Sequence, residues 1–242
     1  MNLKLLHIFL LSTAGTFLLC TPFINTVELA NGLVTGKMCW FHLAMLFFSV
    51  CVFFVMLTKK GTVIAFTFSD PLVLFFAGGV LITYKWNLNP EPEKLIFAGQ
   101  LVILWFLLRY VLTAYREFKF FFLFVLMLTG LIEAVWGMQQ LHGYSHSNHS
   151  LFRLTGSFFN PGPYSGYIAV ILPVCLWTAL RFQKGMHYFA WICVGAILIV
   201  LPAGMSRSAW LAAVVACGWV CWTERIGWKK TKAVYIRYKN AT

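Results

Sequence analysis

Long apolar runs fill most of the chain, and short stretches rich in Pro, Gly and charged residues separate them. An apolar helix of about 20 residues crosses the roughly 30 Å of hydrocarbon in a bilayer. We predict one transmembrane helix for each of eight runs: residues 3–24, 38–57, 63–84, 95–114, 118–140, 164–182, 187–203 and 209–223. The pattern therefore predicts an all-α, polytopic integral membrane bundle that forms a single membrane domain over residues 1–242.

Composition supports a membrane protein and excludes a soluble one. The chain is 60% hydrophobic and only 11% charged, so one soluble core could not hide its apolar residues. A net charge of +12 would favour nucleic acid as the partner of a soluble protein. Here the basic residues flank apolar runs, where they set topology and contact anionic membrane lipid, so we expect no nucleic-acid partner.

The distribution of basic residues predicts the orientation. With the N-terminus inside, fourteen of the 19 Lys and Arg fall on the cytoplasmic side, and both termini are cytoplasmic. Residues 141–163 then form an external loop with a functional role, and residues 224–242 form a basic cytoplasmic tail. The remaining five basic residues are external: Lys37, Lys85, Lys94, Arg153 and Arg207.

Arg153 and Arg207 are the external cations that need an explanation. Each adjoins an apolar span and stands among turn-forming residues, in the segments 153–164 and 202–208. The planar guanidinium suits phosphate oxygens, and a helix N-terminus beside Arg207 would add to an anion site. Taken singly, each is also explained as an interfacial arginine that anchors its loop. Because both lie on one predicted face, we expect them to bind one anionic group.

Three further residues are candidates for shaping this site. Gly156 and the prolines after it set tight turns that leave backbone N–H groups near Arg153, and either Ser206 or Ser208 can cap the last span. Asn160 opens the sixth span, where it either closes a turn or hydrogen-bonds a sugar or the neighbouring loop through its amide. The histidines at 142, 146 and 149 lack carboxylate or thiol partners, so we predict no metal and no cofactor.

Two acidic residues fall within predicted spans. Glu133 lies mid-span, where a carboxylate must be protonated, paired with a cation such as Arg109, or exposed to a polar cavity. Asp70 precedes a proline and is typical of a residue at a helix start. Neither resembles the paired carboxylates of a glycosidase, so no catalytic residue is predicted.

The segments RLTGSFFNPGPYSGYIAVILPV (residues 153–174) and MSRSAWLAA (residues 205–213) together resemble the O-antigen ligase and polymerase superfamily. These are glycosyltransferases of the bacterial inner membrane. The resemblance implies metal-independent transfer of a glycan from an undecaprenyl-pyrophosphate carrier to a periplasmic acceptor, which it does not identify: lipid A core, polysaccharide or protein. It also implies that Arg153 and Arg207 hold the pyrophosphate, with Gly156 and Asn160 shaping the loop.

One departure from the family limits what the resemblance implies. Family members continue past the Ser-Arg span into a large periplasmic loop that carries a histidine thought to act in catalysis, whereas this chain ends at Thr242. We therefore expect carrier binding at most, from a truncated and inactive chain, unless a partner chain supplies the missing portion or one of His142, His146 and His149 replaces the family histidine. Two alternatives remain open: a flippase or transporter for lipid-linked saccharides, and a non-catalytic membrane subunit.

Overall fold

Every element of regular structure in the described part of the chain is helical. The computed structural model describes residues 2–26, 32–59, 61, 67, 69–87 and 91–239, with side chains as far as Arg225. The described residues form two short 3-10 turns, Thr21–Phe23 and Pro202–Gly204, and eight α-helices. These are α1 (Leu3–Leu19), α2 (Gly32–Thr58), α3 (Ser69–Trp86), α4 (Pro92–Ala114), α5 (Arg116–Leu141), α6 (Pro161–Arg181), α7 (Gly185–Val200) and α8 (Arg207–Lys239).

The all-α prediction is confirmed, and within the described residues five segments are long and apolar enough to cross a membrane. These are α2, α4, α5, α6, and α7 together with the 3-10 turn that follows it. Large apolar side chains are exposed along these helices and along α3, where Phe75 is 83% exposed. Contiguous apolar surface of this extent is unfavourable in water and favourable in lipid, so the protein is membrane-embedded.

Several helices extend past the predicted limits of the apolar runs. Helix α2 begins at Gly32 rather than at residue 38, and α8 continues through the predicted tail to Lys239. A change from apolar to charged residues ends the segment suited to hydrocarbon, but it does not end a helix unless a breaker accompanies it. No proline lies between residues 203 and 242. Residues 63–66, the start of the third predicted span, lie outside the described residues.

The chain divides into two compact units, a division that the sequence did not predict. The first comprises Met1–Ile24 and Thr35–Phe122, and the second comprises Asn25–Val34 and Leu123–Thr242. In the first unit, α1, α2, α4 and the start of α5 share an apolar core. Its fully buried members include Leu11, Phe48, Val52, Val111 and Phe118.

A buried ion pair joins α3 to α4 within the first unit. Asp70, in the first turn of α3, forms a salt bridge with Arg109 and accepts a hydrogen bond from the indole of Trp105 at 3.1 Å. It also accepts from the backbone N–H of Thr67 at 2.7 Å, which confirms its expected role at a helix start. Arg109, one of the partners considered for Glu133, thus pairs with Asp70.

In the second unit, α6 is the central helix and packs against α5, α7 and α8. Two glycines on α5 let α5 and α6 approach closely. A Cβ atom at Gly137 would collide with the hydroxyl of Tyr164, and one at Gly130 would lie 2.7 Å from Cγ2 of Ile171. This close contact brings the end of α5 against the start of α6, where the loop that joins them begins and ends.

Candidate functional site at the start of α6

The loop between α5 and α6 is held by a buried carboxylate. Glu133 of α5 is fully buried, and its Oε2 accepts a hydrogen bond from the backbone N–H of Ser157 at 3.0 Å. The hydroxyl of Tyr164, also fully buried, donates to the backbone carbonyl of Glu133 at 3.2 Å. A hydrogen bond to a buried carboxylate offsets part of its lost hydration. Glu133 thus connects the loop to α5.

Gln140, one residue before the end of α5, binds the same loop with both ends of its amide. Its Oε1 accepts from the N–H groups of Thr155 at 2.9 Å and Gly156 at 2.7 Å. Its Nε2 donates to the carbonyls of His146 and Gly156, both at 3.1 Å. The amide is buried, and its oxygen accepts hydrogen bonds from loop N–H groups that would otherwise be buried without an acceptor. Gln140 therefore fixes the path of the chain through Gly156.

Asn148 adds a second amide contact inside the loop. Its Nδ2 donates to the carbonyls of Gly156 at 3.2 Å and Phe158 at 3.0 Å. Its backbone N–H donates to the hydroxyl of Thr155 at 3.2 Å, and Thr155 is fully buried. With Gln140, these bonds pair the N–H groups of Thr155 and Gly156 and the carbonyl of Gly156, which gives the loop between α5 and α6 a defined structure.

Gly156 is required at its position for two independent reasons. Its φ of +54° lies in the left-handed region, which L residues with a Cβ rarely adopt. A Cβ atom there would also collide with Oε2 of Glu133 and lie 2.5 Å from the ring of Tyr164. Gly156 therefore shapes this loop through its backbone conformation and its lack of a Cβ. Its part in ligand binding stays a prediction.

Arg153 lies three residues before Gly156 and extends away from the buried part of the loop. It is exposed, whereas the next four residues, 154–157, are all buried. Within the described residues its guanidinium makes no hydrogen bond or ion pair. An arginine presented by an anchored turn, with its donors uncommitted, is available to bind an anion.

Arg207 is presented in a similar way from the turn before α8. Met205, at the C-terminal end of the 3-10 turn, has a left-handed backbone with φ of +54°, and α8 begins two residues later. The hydroxyl of Ser206 accepts from the backbone N–H of Ala209 at 3.4 Å, in agreement with its predicted capping role. Arg207 is exposed, and no partner of its guanidinium occurs among the described residues.

The two arginine-bearing turns attach to adjacent residues of α6. The loop of Arg153 contacts Tyr164 through Gly156, and the hydroxyl of Ser165 donates to the carbonyl of Gly204 at 3.0 Å. Three residues of extended chain span at most about 11 Å, so each arginine Cα lies within roughly that distance of the glycine that anchors its turn. Both turns therefore lie at the N-terminal end of α6.

The remaining predicted residues have simpler surroundings. Asn160 occupies the N-cap position of α6 and is exposed, but its side chain makes no capping hydrogen bond. Its side chain has no hydrogen-bond partner among the described residues, so the expected bond to the neighbouring loop is absent and contact with a sugar stays a prediction. His149 accepts from the N–H of Leu151 at 3.0 Å and packs against Phe152 and Phe159. Among the described residues no cluster of three or more His, Cys, Asp or Glu could hold a metal.

Sequence analysis missed Gln140, Asn148, Tyr164 and Ser165, which hold the two turns in place. Comparison with protein-family models, with curated proteins and with solved structures finds no match. The site is therefore interpreted from its own residues.

Proposed function

We propose that the second unit binds the diphosphate of an undecaprenyl-pyrophosphate-linked glycan. We further propose that the chain acts at the bacterial inner membrane in an O-antigen ligase-like transfer of that glycan to a periplasmic acceptor. The observation that carries the proposal is the attachment of both arginine turns to Tyr164 and Ser165. Two guanidinium groups match the charge of a diphosphate better than one cation does.

The surroundings of the two turns suit a lipid-linked ligand. Apolar side chains next to them are exposed, including Leu151 at 83% and Met205 at 75%. A polyprenyl chain in the bilayer would contact such residues while its diphosphate lies at the helix ends. When a glycan leaves the carrier, negative charge grows on the diphosphate, and preorganised arginine donors would stabilise that charge.

The transporter alternative receives less support. A carrier that moves saccharides across the membrane would need ionisable residues lining a polar cavity near the midplane. Glu133 was the candidate for that role, and its Oε2 is bound to the N–H of Ser157. Glu133 is thus used to hold a loop, which favours a fixed binding site over a gated pathway.

A binding experiment tests the proposal directly. The affinity of the purified chain for undecaprenyl pyrophosphate and for undecaprenyl phosphate would be measured for the wild type, Arg153→Gln and Arg207→Gln. A charge-assisted hydrogen bond contributes about 1.5 to 3 kcal/mol, so each substitution should weaken diphosphate binding about tenfold or more. The monophosphate should bind more weakly than the diphosphate to the wild type.

The matched control is Arg181→Gln, which removes an exposed cation from the opposite end of the same helix. This variant should bind the diphosphate like the wild type. Equal affinity of the wild type and both site variants, or an equal loss in Arg181→Gln, would reject the proposed site. Glycan transfer from the carrier would then be assayed with the same variants once binding is established.

A further inference from the structure

A second polar site lies in the first unit, independent of the proposed glycan site. An open pocket of about 580 Å³ forms where four helix ends meet: the starts of α1 and α5 and the ends of α2 and α4. Pockets that bind small molecules have volumes of about 300 to 1,000 Å³. The sequence predicts that these helix ends lie at the cytoplasmic face.

The base of the pocket is a buried hydrogen-bonded group that joins three of these helix ends. His7 of α1 is 2% exposed; its Nδ1 lies 2.5 Å from the hydroxyl of Tyr115, and its Nε2 lies 2.8 Å from the hydroxyl of Thr58. Thr58 donates its proton to the carbonyl of Phe54 at 2.8 Å, so it accepts from Nε2. Nδ1 therefore accepts from Tyr115. The hydrogen bonds of His7 thus hold the helix ends that form the base of the pocket.

The rim of the pocket is basic. Lys4, Lys59 and Arg116 line it, with Glu117 as the acidic residue among its lining residues. Glu117 neutralises one cation, because its carboxylate lies 2.6 Å from Nζ of Lys4. Two positive charges remain in excess.

Lys59 is held in place and keeps donors available. Its Nζ lies 4.0 Å from the centre of the Tyr115 ring and donates to the carbonyl of Ala114 at 2.5 Å. An ammonium has three N–H groups, so two remain after this bond. Arg116 is exposed and packs over the ring of Phe120, with its Cζ 5.5 Å from the ring centre. The Lys59 ammonium and the Arg116 guanidinium thus belong to residues that line the same pocket, and both groups carry N–H donors.

We propose that this pocket binds a phosphate-bearing anion, and that the anion is the headgroup of an anionic phospholipid. Lysine and arginine donors together match the oxygens and charge of a phosphate ester. An exposed apolar residue also lines the pocket, since Leu3 of α1 is 48% exposed. This residue provides a contact for an acyl chain, which a soluble phosphate compound would leave unused.

Native mass spectrometry of the full chain tests the proposal. Binding of phosphatidylglycerol and of phosphatidylcholine with the same acyl chains would be titrated in an Arg153→Gln/Arg207→Gln background, which removes the proposed glycan site. Lys59→Gln/Arg116→Gln should weaken phosphatidylglycerol binding about tenfold or more. Phosphatidylcholine should bind more weakly than phosphatidylglycerol before these substitutions and should change little after them. Arg181→Gln, which lies outside the pocket, should bind phosphatidylglycerol like its parent.

Two further arms keep the result decisive. Arg116→Gln alone spares the hydrogen bonds of His7, so this variant should fold and still lose affinity, while Arg116→Lys should retain most of it. Glycerol 3-phosphate is the soluble competitor. Failure of millimolar glycerol 3-phosphate to displace the lipid supports the lipid assignment, whereas displacement would overturn it in favour of a soluble phosphate ligand. Affinity for phosphatidylglycerol that is unchanged in both Lys59→Gln/Arg116→Gln and Arg116→Gln would overturn the site itself.

Discussion

Replacing Gly156 by alanine should destabilise the second unit substantially. Two costs combine at this position. A residue with a Cβ costs about 1 to 2 kcal/mol more than glycine in the left-handed conformation. The added methyl would also press on Glu133 and on the ring of Tyr164, and overpacking of this kind costs about 1 to 3 kcal/mol. The sum is about 2 to 5 kcal/mol, which lowers the Tm of a protein this size by roughly 4 to 20 °C.

The Tm of each variant can be measured from the thiol reactivity of two buried cysteines. Cys175 and Cys193 are fully buried in the second unit, so a thiol-reactive fluorophore labels them only when this unit opens. The control is Gly166→Ala on α6, where a Cβ would meet nothing within 4 Å. Alanine is favoured over glycine in a helix, so this variant should keep or slightly raise the Tm. A Tm for Gly156→Ala within about 1 °C of the Gly166→Ala value would refute the reasoning.

Three other perturbations test separate parts of the structure. Gln140→Leu leaves the buried N–H groups of Thr155 and Gly156 without their acceptor, which costs about 1 to 3 kcal/mol for each group. Amide hydrogen exchange in residues 142–158 should therefore accelerate. Gln139→Leu, a change at the exposed neighbouring residue, should leave the exchange rates unchanged. Asp70→Asn removes the charge that pairs with Arg109 and should lower the free energy of unfolding by about 3 to 5 kcal/mol, measured by thermal unfolding. Glu91→Gln breaks an exposed pair with Lys94 and should lower it by under about 1 kcal/mol. Equal losses in the two variants would contradict the account. Cysteines placed at residues 153 and 207 of a variant without native cysteines should react with an impermeant thiol reagent added outside intact cells, and protection of both would reverse the predicted orientation.

The sequence predicted the helices best where an apolar run ends at a breaker. Helix α6 begins at Pro161, close to its predicted start, because proline fits the first turn of a helix. Helix α8 was underestimated because charged residues continue it past the apolar run. The division into two units depends on which helix faces pack together. Since these helices are apolar on several faces, hydrophobic periodicity gives little information about that packing.

The residues of the candidate site were named from the sequence, whereas the contacts that hold its two turns were not. Gly156 was identified from turn chemistry alone, and its positive φ agrees with that reasoning. The roles of Gln140 and Asn148 were not predicted, because an amide side chain acquires its partners only from the folded arrangement of the chain. A polar Gln at the end of an apolar span, followed by a loop rich in backbone donors, is the signal that would have indicated Gln140.

The central claim is that Arg153 and Arg207 hold one diphosphate together, and a double-mutant cycle for undecaprenyl pyrophosphate binding tests it most directly. Affinities would be measured for the wild type, Arg153→Gln, Arg207→Gln and the double variant, with Arg153→Gln/Arg181→Gln as the control cycle. Groups that share a ligand show a coupling energy of about 0.5 to 3 kcal/mol. The account predicts coupling in this range for the first cycle and additivity in the control. Losses from Arg153→Gln and Arg207→Gln that add within about 0.3 kcal/mol, or no loss in either, would contradict it.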